Sequence, residues 1–358
     1  MMRRSIAFAT PHMTPIRTQV PSAEAEGLHG VWFTEYTDRD ALIRATLAAS
    51  VSTDIAVGTG ISYSFTRHPL ALAAAALDVH EASSGRFRLG LGTGTAGMRG
   101  RWFGLSTDRP VARLKETVAL LRSAWESEGD FAFRGSYFSA DVPALSFRGR
   151  VEEIGTPPIY GSGIGPGMVT AAATWCDGAV LHPLAVGQDY EARFLNPAIE
   201  EGLENRELDA PFDQVQWVIT AVDDDLAKAY NLARRALAFY LATASYTIYF
   251  ADTAWAAVQL DLLDGFRARG ADWPALAERV PIELVDEFCI VGSPSSTRAR
   301  VEQLEERLAG RGVSELVFQV AATGVSAREA EAALERVIHT VGTVPSVPSV
   351  PTSHGGDS

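Results

Sequence analysis

Phe87-Arg88-Leu89-Gly90-Leu91-Gly92-Thr93-Gly94 is a short apolar run that breaks into three glycines at alternate positions. It follows a helical pattern that stops at Ser83-Ser84-Gly85, so it reads as a strand running out into a loop. Only glycine lets a backbone come within contact distance of a flat or phosphorylated ligand with no Cβ in the way. Two frames compete for this stretch. Gly92-Thr93-Gly94-Thr95-Ala96-Gly97 matches the three-glycine dinucleotide pattern. That pattern should open a helix at once, with an acid ending the next strand about 20 residues on. Here the loop runs into Met98-Arg99-Gly100-Arg101-Trp102-Phe103-Gly104, which holds no helix start, and the later window falls inside a helical pattern. The surroundings point away from a Rossmann fold.

Outward from this stretch, strand and helix patterns alternate along the chain. Strand patterns occur at Ile6–Ala9, Gly30–Phe33, Ile55–Gly58, Phe87–Leu91, Pro158–Tyr160, Gly178–Leu181, Gln214–Thr220 and Glu315–Gln319. Between them lie helical patterns at Ser22–Glu26, Asp38–Ala49 (with Asp38 as N-cap), Pro69–Ser83, Val111–Trp125, Met168–Trp175 and Tyr190–Gly202. A long helical region runs from Asp224 to about Glu287, and Ser296–Ala309 and Ala327–Val341 follow. Phe131–Phe138 interrupts this order with the alternation and central turn of a β-hairpin. Eight strand–helix units predict an α/β fold, a closed (β/α)8 TIM barrel with an inserted β-hairpin and a helical insertion. The Pro69 helix is apolar on most faces and calls for cover by another layer or a subunit. Residues 1–341 read as one domain. Residues 342–358, with their Val-Pro-Ser repeat, read as a disordered tail.

The formal net charge of −13, with no basic block to offset it, argues against nucleic-acid and anionic-membrane partners. Cys176 and Cys289 have no metal-ligand neighbour in sequence and read as free thiols. The longest uncharged run, between Arg235 and Asp252, is shorter than the roughly 20 residues of a membrane span. The apolar piece at Ile6–Ala9 is too short for a signal peptide. The chain reads as a cytoplasmic protein with a small-molecule organic substrate, in a homodimer or higher homo-oligomer.

Further stretches carry chemistry. Gly161-Ser162-Gly163-Ile164-Gly165-Pro166-Gly167 follows a strand and opens a helix, an arrangement that attracts phosphate through unpaired N–H groups and the helix dipole. Gly58-Thr59-Gly60-Ile61-Ser62-Tyr63 leaves the third strand, and Tyr63 and Arg67 stand after it as candidate substrate contacts. Glu35 and Tyr36 end the second strand, and His182 ends the sixth; at a barrel mouth such groups are candidates for proton transfer. The sequence holds no His-Glu-x-x-His, Cys-x-x-Cys, Gly-x-Ser-x-Gly or P-loop, so metal hydrolysis, serine hydrolysis and ATP chemistry lack their parts.

The run from Gly30-Val31-Trp32-Phe33-Thr34-Glu35-Tyr36, through Thr66-Arg67-His68-Pro69, to Ser84-Gly85-Arg86 and the opening stretch resembles the bacterial luciferase-like family. Within it the chain is most similar to the coenzyme F420-dependent branch typified by methylenetetrahydromethanopterin reductase. The likeness continues through Ile159-Tyr160-Gly161-Ser162-Gly163, Asp177-Gly178-Ala179 and Val285-Asp286-Glu287-Phe288 to Val291-Gly292-Ser293-Pro294. The resemblance implies a deazaflavin ring at the strand C-terminal ends and a non-prolyl cis peptide at Gly60-Ile61 bulging against it. It implies that Gly92, Thr93 and Gly94 hold the cofactor's side chain, that Gly161, Ser162 and Gly163 hold its phosphate, and that Glu35 stands near the ring.

The departures narrow the activity. Monooxygenases of the family place a histidine at the second-strand exit, where this chain has Glu35-Tyr36. Its sugar-phosphate dehydrogenases carry an acid after the fourth-strand glycines, where this chain has Thr95. The expectation is a hydride-transfer oxidoreductase using F420, with Glu35 and His182 as candidate catalytic residues. An FMN-dependent monooxygenase, with FMN as the cofactor, and a non-catalytic cofactor-binding homologue are the alternatives.

Overall fold

The computed structural model describes residues 2–106 and 108–343. Eight parallel strands close into a barrel: β1 (Arg3–Phe8), β2 (Gly30–Phe33), β3 (Ala56–Thr59), β4 (Phe87–Gly92), β5 (Ile159–Ser162), β6 (Gly178–Leu181), β7 (Asp213–Val222) and β8 (Val313–Val320). Each pairs with the next in this order, and β8 pairs with β1 to complete the circle. Every predicted strand pattern is one of these eight. Two further strands join the sheet: Ser62–Tyr63 pairs with β4, and Cys289–Gly292 pairs with the C-terminal half of β7, while β6 pairs with its N-terminal half. The sequence reading had placed no strand there.

Several helices begin where their capping chemistry puts them. Asp40, and not Asp38, caps helix Ala41–Ala49, accepting from Leu42 and Ile43 N–H at 2.9 and 3.1 Å. His68 accepts from Leu70 N–H ahead of Pro69. The first helix runs over Thr14–Ala25 and carries Pro21 inside it, longer than the predicted Ser22–Glu26. After the β4 glycines the chain does make one wide helical turn, Met98–Trp102, which the sequence did not suggest; at five residues it is no dinucleotide-binding helix.

The apolar helix Pro69–Ala82 is covered within the chain, between helices Ala41–Ala49 and Pro110–Trp125, and Trp125 donates its indole N–H to Ala73 O at 3.0 Å. The hairpin spans Glu128–Arg134 and Ser139–Ser146, so its turn falls at the end of the predicted stretch rather than its middle. Glu116 fastens that turn, taking the N–H groups of Ser136, Tyr137 and Phe138 at 2.9, 2.8 and 2.5 Å. The region after Asp224 breaks into Leu226–Leu241, two short turns, Ala256–Arg269, Trp273–Ala277 and Ile282–Phe288. Among the described residues no helix is long and apolar enough to cross a membrane. Of the tail, residues 344–358 lie outside the described residues.

Inside the barrel the side chains are layered, as inward positions of alternate strands require. At the strand N-terminal ends Glu315 is fully buried and takes Ser5 Oγ, Trp32 Nε1 and Arg88 Nη1 at 2.6, 2.9 and 2.5 Å. Above it Trp32, Tyr160, Val215 and Val317 fill the middle, with Trp32 and Tyr160 edge to face at 5.9 Å. Trp217 belongs to the same cluster and lies against Gly60. It forms the floor of the mouth.

Candidate active site at the barrel mouth

The peptide bond between Gly60 and Ile61 is cis, as the resemblance implies. Packing around it explains two glycines. A Cβ on Gly60 would stand 2.2 Å from Trp217 Cζ2, and one on Gly92 would stand 2.2 Å from Ile61 Cδ1. The glycine at 92 therefore makes room for Ile61 of the same chain. The close approach predicted from the opening stretch is real, and at Gly92 its partner within the chain is the bulge. The bulge, Trp217 and β4 together make a closed platform.

Glu35 holds the far side of this bulge. Its N–H donates to Ile61 O at 3.0 Å. Its nearly buried carboxylate accepts from Ser62 Oγ at 2.7 Å, Tyr63 N–H at 3.2 Å and Arg67 Nη1 at 3.2 Å. Arg67 also pairs with Asp40, so its guanidinium is held between two carboxylates. Tyr63 is buried, stacked on Phe65 at 5.0 Å with Phe103 against the edge at 6.0 Å. These residues meet as expected, yet their polar groups are turned on one another.

The glycine loops form the adjoining sector. Arg99 is buried and donates from Nη1 to Thr93 O and Gly94 O at 2.6 and 2.8 Å, placing a positive charge under the first loop. The second loop enters helix Pro166–Trp175, whose N-terminus has no side-chain cap. Ser162 directs its hydroxyl to Val180 O at 2.7 Å, and a Cβ on Gly163 would strike Met168. What this sector offers a ligand is backbone N–H, a helix N-terminus and a buried cation. All three favour an anion.

The sector that follows β6, next to β5, is built from uncharged side chains. His182 Nδ1 accepts from Leu184 N–H at 3.2 Å, so the neutral ring carries its proton on Nε2, which lies 3.2 Å from Tyr246 Oη. Burial pushes the His182 pKa down to about 3, which keeps it neutral. Tyr240 packs edge-on to the imidazole at 4.9 Å and donates to Gln319 Oε1 at 2.9 Å. Burial pushes the Tyr240 phenol up to about 12 and raises that of Tyr246 as well. His182, Tyr240, Tyr246 and Gln319 nevertheless keep accessible surface, as groups facing a recess do.

The sequence reading missed Trp217, Tyr240, Tyr246, Gln319 and Arg99. Two carried a usable signal: Gln319 is a polar residue near the C-terminal end of an apolar strand, and Arg99 follows a glycine loop. The tyrosines come from the helical region after Asp224, where nothing local marks which face looks into the barrel.

Comparison with known proteins gives the family and the fold. The sequence profile of the luciferase-like monooxygenases matches residues 4–311. A 5,10-methylenetetrahydromethanopterin reductase of Archaeoglobus fulgidus is 30% identical over 308 residues, covering 83% of this chain and 87% of the relative. Among solved structures, the coenzyme F420-dependent tetrahydromethanopterin reductase of Methanopyrus kandleri superposes with a TM-score of 0.72 at 22% identity, over 95% of this chain and 98% of that one. An F420-dependent secondary alcohol dehydrogenase superposes at 0.69 with 18% identity, over 95% and 99%.

Proposed function

The chain belongs to the luciferase-like monooxygenase family, and from that membership we propose that it is an F420-dependent oxidoreductase transferring a hydride between the deazaflavin and a small organic substrate. The observation that carries this reading is the mouth itself. The bulge at Gly60-Ile61, packed between Trp217 and Gly92, adjoins a sector whose groups favour an anion.

The residues present fit such a cofactor. Gly60 and Ile61 would support the ring. Backbone at Gly92, Thr93 and Gly94, with Arg99 beneath, would hold its side chain. Gly161, Ser162 and Gly163, with the uncapped helix N-terminus, would take its phosphate through main-chain N–H groups. When bound, the deazaflavin supplies the carbon that gives or accepts hydride; the protein's part is orientation and exclusion of water.

In this reading Glu35 is a positioning residue, because its carboxylate clasps the segment that follows the bulge and neutralises Arg67. Tyr63 and Arg67 shape the wall around that bulge. His182 and Tyr246 face the substrate. The Nε2–H of His182 donates to Tyr246, which frees the phenol proton of Tyr246 for an oxygen of the substrate.

Titrating the purified protein with F420 and, separately, with FMN tests the proposal. Saturable F420 binding with FMN at least tenfold weaker is expected, and reduced F420 should be reoxidised by an organic acceptor in its presence. Tight FMN binding with no F420 binding would overturn it.

A further inference from the structure

Beside the mouth, a recess of about 270 Å³ opens where the loop after β5, the turn after β6 and the segment Tyr249–Trp255 meet. Ile164, Leu184, Tyr190, Tyr249, Trp255 and Phe288 are among its walls. The walls are a braced aromatic set: Tyr190 and Tyr249 meet edge to face at 5.7 Å, and Tyr190 turns its hydroxyl to Ile164 O. The Tyr190 hydroxyl is thus directed into the protein, and the larger part of the lining is apolar.

The rim has the opposite character. Asp189, Asp252 and Glu287 stand at it, and none of the lining residues is Lys, Arg or His. Trp255 Nε1 donates to Glu287 Oε2 at 2.6 Å, which fixes that carboxylate beside the indole. Asp189 pairs with Arg193 at 3.0 Å on the exposed side. Among the described residues Asp252 has no side-chain hydrogen bond or ion pair. Arg193 also donates to Ala251 O at 3.3 Å, yet among the described residues neither Asp252 nor Glu287 has an ion pair of its own.

We infer that this recess is a binding site for a small aromatic ammonium compound, its ring among Tyr249, Trp255 and Phe288 and its cation between Asp252 and Glu287. The volume lies just under the ~300 Å³ at which small-molecule pockets begin, which suits one or two rings. An ammonium group gains from nearby carboxylates and from aromatic faces together, whereas a carboxylate or phosphate there meets like charge. The glycine sector, one residue away at Ile164, selects the reverse charge through Arg99 and a helix N-terminus. Two neighbouring sites of opposite preference are two sites, so the recess does not continue the anion-holding sector. The inference does not depend on which cofactor occupies the mouth.

Calorimetric titration with tryptamine and with indole-3-propionate, which share a ring system and differ in charge, tests it. Tryptamine should bind saturably at one site per chain, with indole-3-propionate at least tenfold weaker. The double variant Asp252→Asn/Glu287→Gln keeps an acceptor for Trp255. It should lose at least tenfold in tryptamine affinity while its melting temperature and F420 affinity stay unchanged. Absence of saturable tryptamine binding, equal binding of the two probes, an unaffected double variant, or displacement of tryptamine by F420 would each overturn the assignment. A protein that binds tryptamine as expected but takes no F420 defeats the proposed activity and leaves the recess standing.

Discussion

The two ends of the barrel bury polar groups in opposite ways. At the strand N-terminal end Glu315 meets Arg88, with Arg3 at 3.6 Å and His29 at 3.8 Å, and Asp213 meets Arg3 and Tyr160. Charges there are many, matched and largely saturated by hydrogen bonds. At the mouth, the side chains of His182, Tyr240, Tyr246 and Gln319 are themselves uncharged, with Arg39 acting on Tyr240 from outside the cluster, and their hydrogen bonds end at the Tyr246 phenol, which keeps accessible surface. A saturated ionic plug can do little but hold strands together, since removing either partner strands the other. An uncharged, incompletely saturated cluster leaves capacity for a substrate. This matches the general division of labour in such barrels, stability below and chemistry above.

The largest test of this contrast is at the plug. Glu315→Ala leaves Arg88 buried without its partner and should cost about 3–5 kcal/mol, read as a fall in the urea midpoint; cofactor affinity of the folded fraction should not change. A loss below about 1 kcal/mol would mean that the plug behaves like a surface pair and the contrast fails.

At the platform, Gly60→Ala drives a methyl group into Trp217. It should cost about 1–3 kcal/mol of stability by overpacking and weaken F420 binding at least tenfold. Adding Trp217→Leu, which clears the space, should recover most of the stability. If the double variant is no better than the single, Trp217 is not what the glycine accommodates.

The uncharged sector makes a pH prediction. His182 titrates near 3 in the folded protein and near 6.5 when unfolded. Below 6.5 the unfolded chain therefore binds a proton that the folded chain refuses. The stability present above that pH is lost as pH falls toward 3, by at most about 1.4 kcal/mol per pH unit. His29 and His80 are lowered too, chiefly by burial, so the difference from a His182→Asn variant isolates the His182 contribution. Asparagine retains a cap for Leu184 and should flatten that part of the curve. Parallel curves for the two proteins would remove the argument for a neutral sector.

The smallest effect belongs to Tyr246→Phe. It removes one hydrogen bond that keeps solvent access, so stability should fall by about 0.5–1.5 kcal/mol in thermal unfolding, with F420 affinity unchanged and turnover of an oxygen-bearing substrate reduced.

Much of this architecture was legible before any fold was seen. Gly30–Phe33 and Gly178–Leu181 are strands with the predicted bounds, because a short apolar run flanked by polar and turn residues has few other uses. The glycine stretches after β3, β4 and β5 marked three points of the mouth. Their meaning was less legible. Gly92 read as a cofactor contact, and the fold adds that it makes space for Ile61, a residue thirty-one positions earlier that the pairing of Ser62–Tyr63 with β4 brings near. Glu35 read as a candidate for proton transfer and Arg67 as a candidate substrate contact; their ion pair with each other is something no local pattern announced.

The sequence alone thus determined the eight-fold strand–helix order and the barrel it requires. Hydrophobic periodicity, glycine and capping residues act over a few neighbours and leave their trace locally. Tertiary structure alone decided which polar groups are consumed and which remain available. Glu315 closes one end because β1, β2 and β4 deliver Ser5, Trp32 and Arg88 to it. His182 stays neutral, and Tyr246 faces the mouth, because a helical insertion folds back over β6. Burial, close approach and charge pairing arise between residues far apart in the chain, so no local pattern records them.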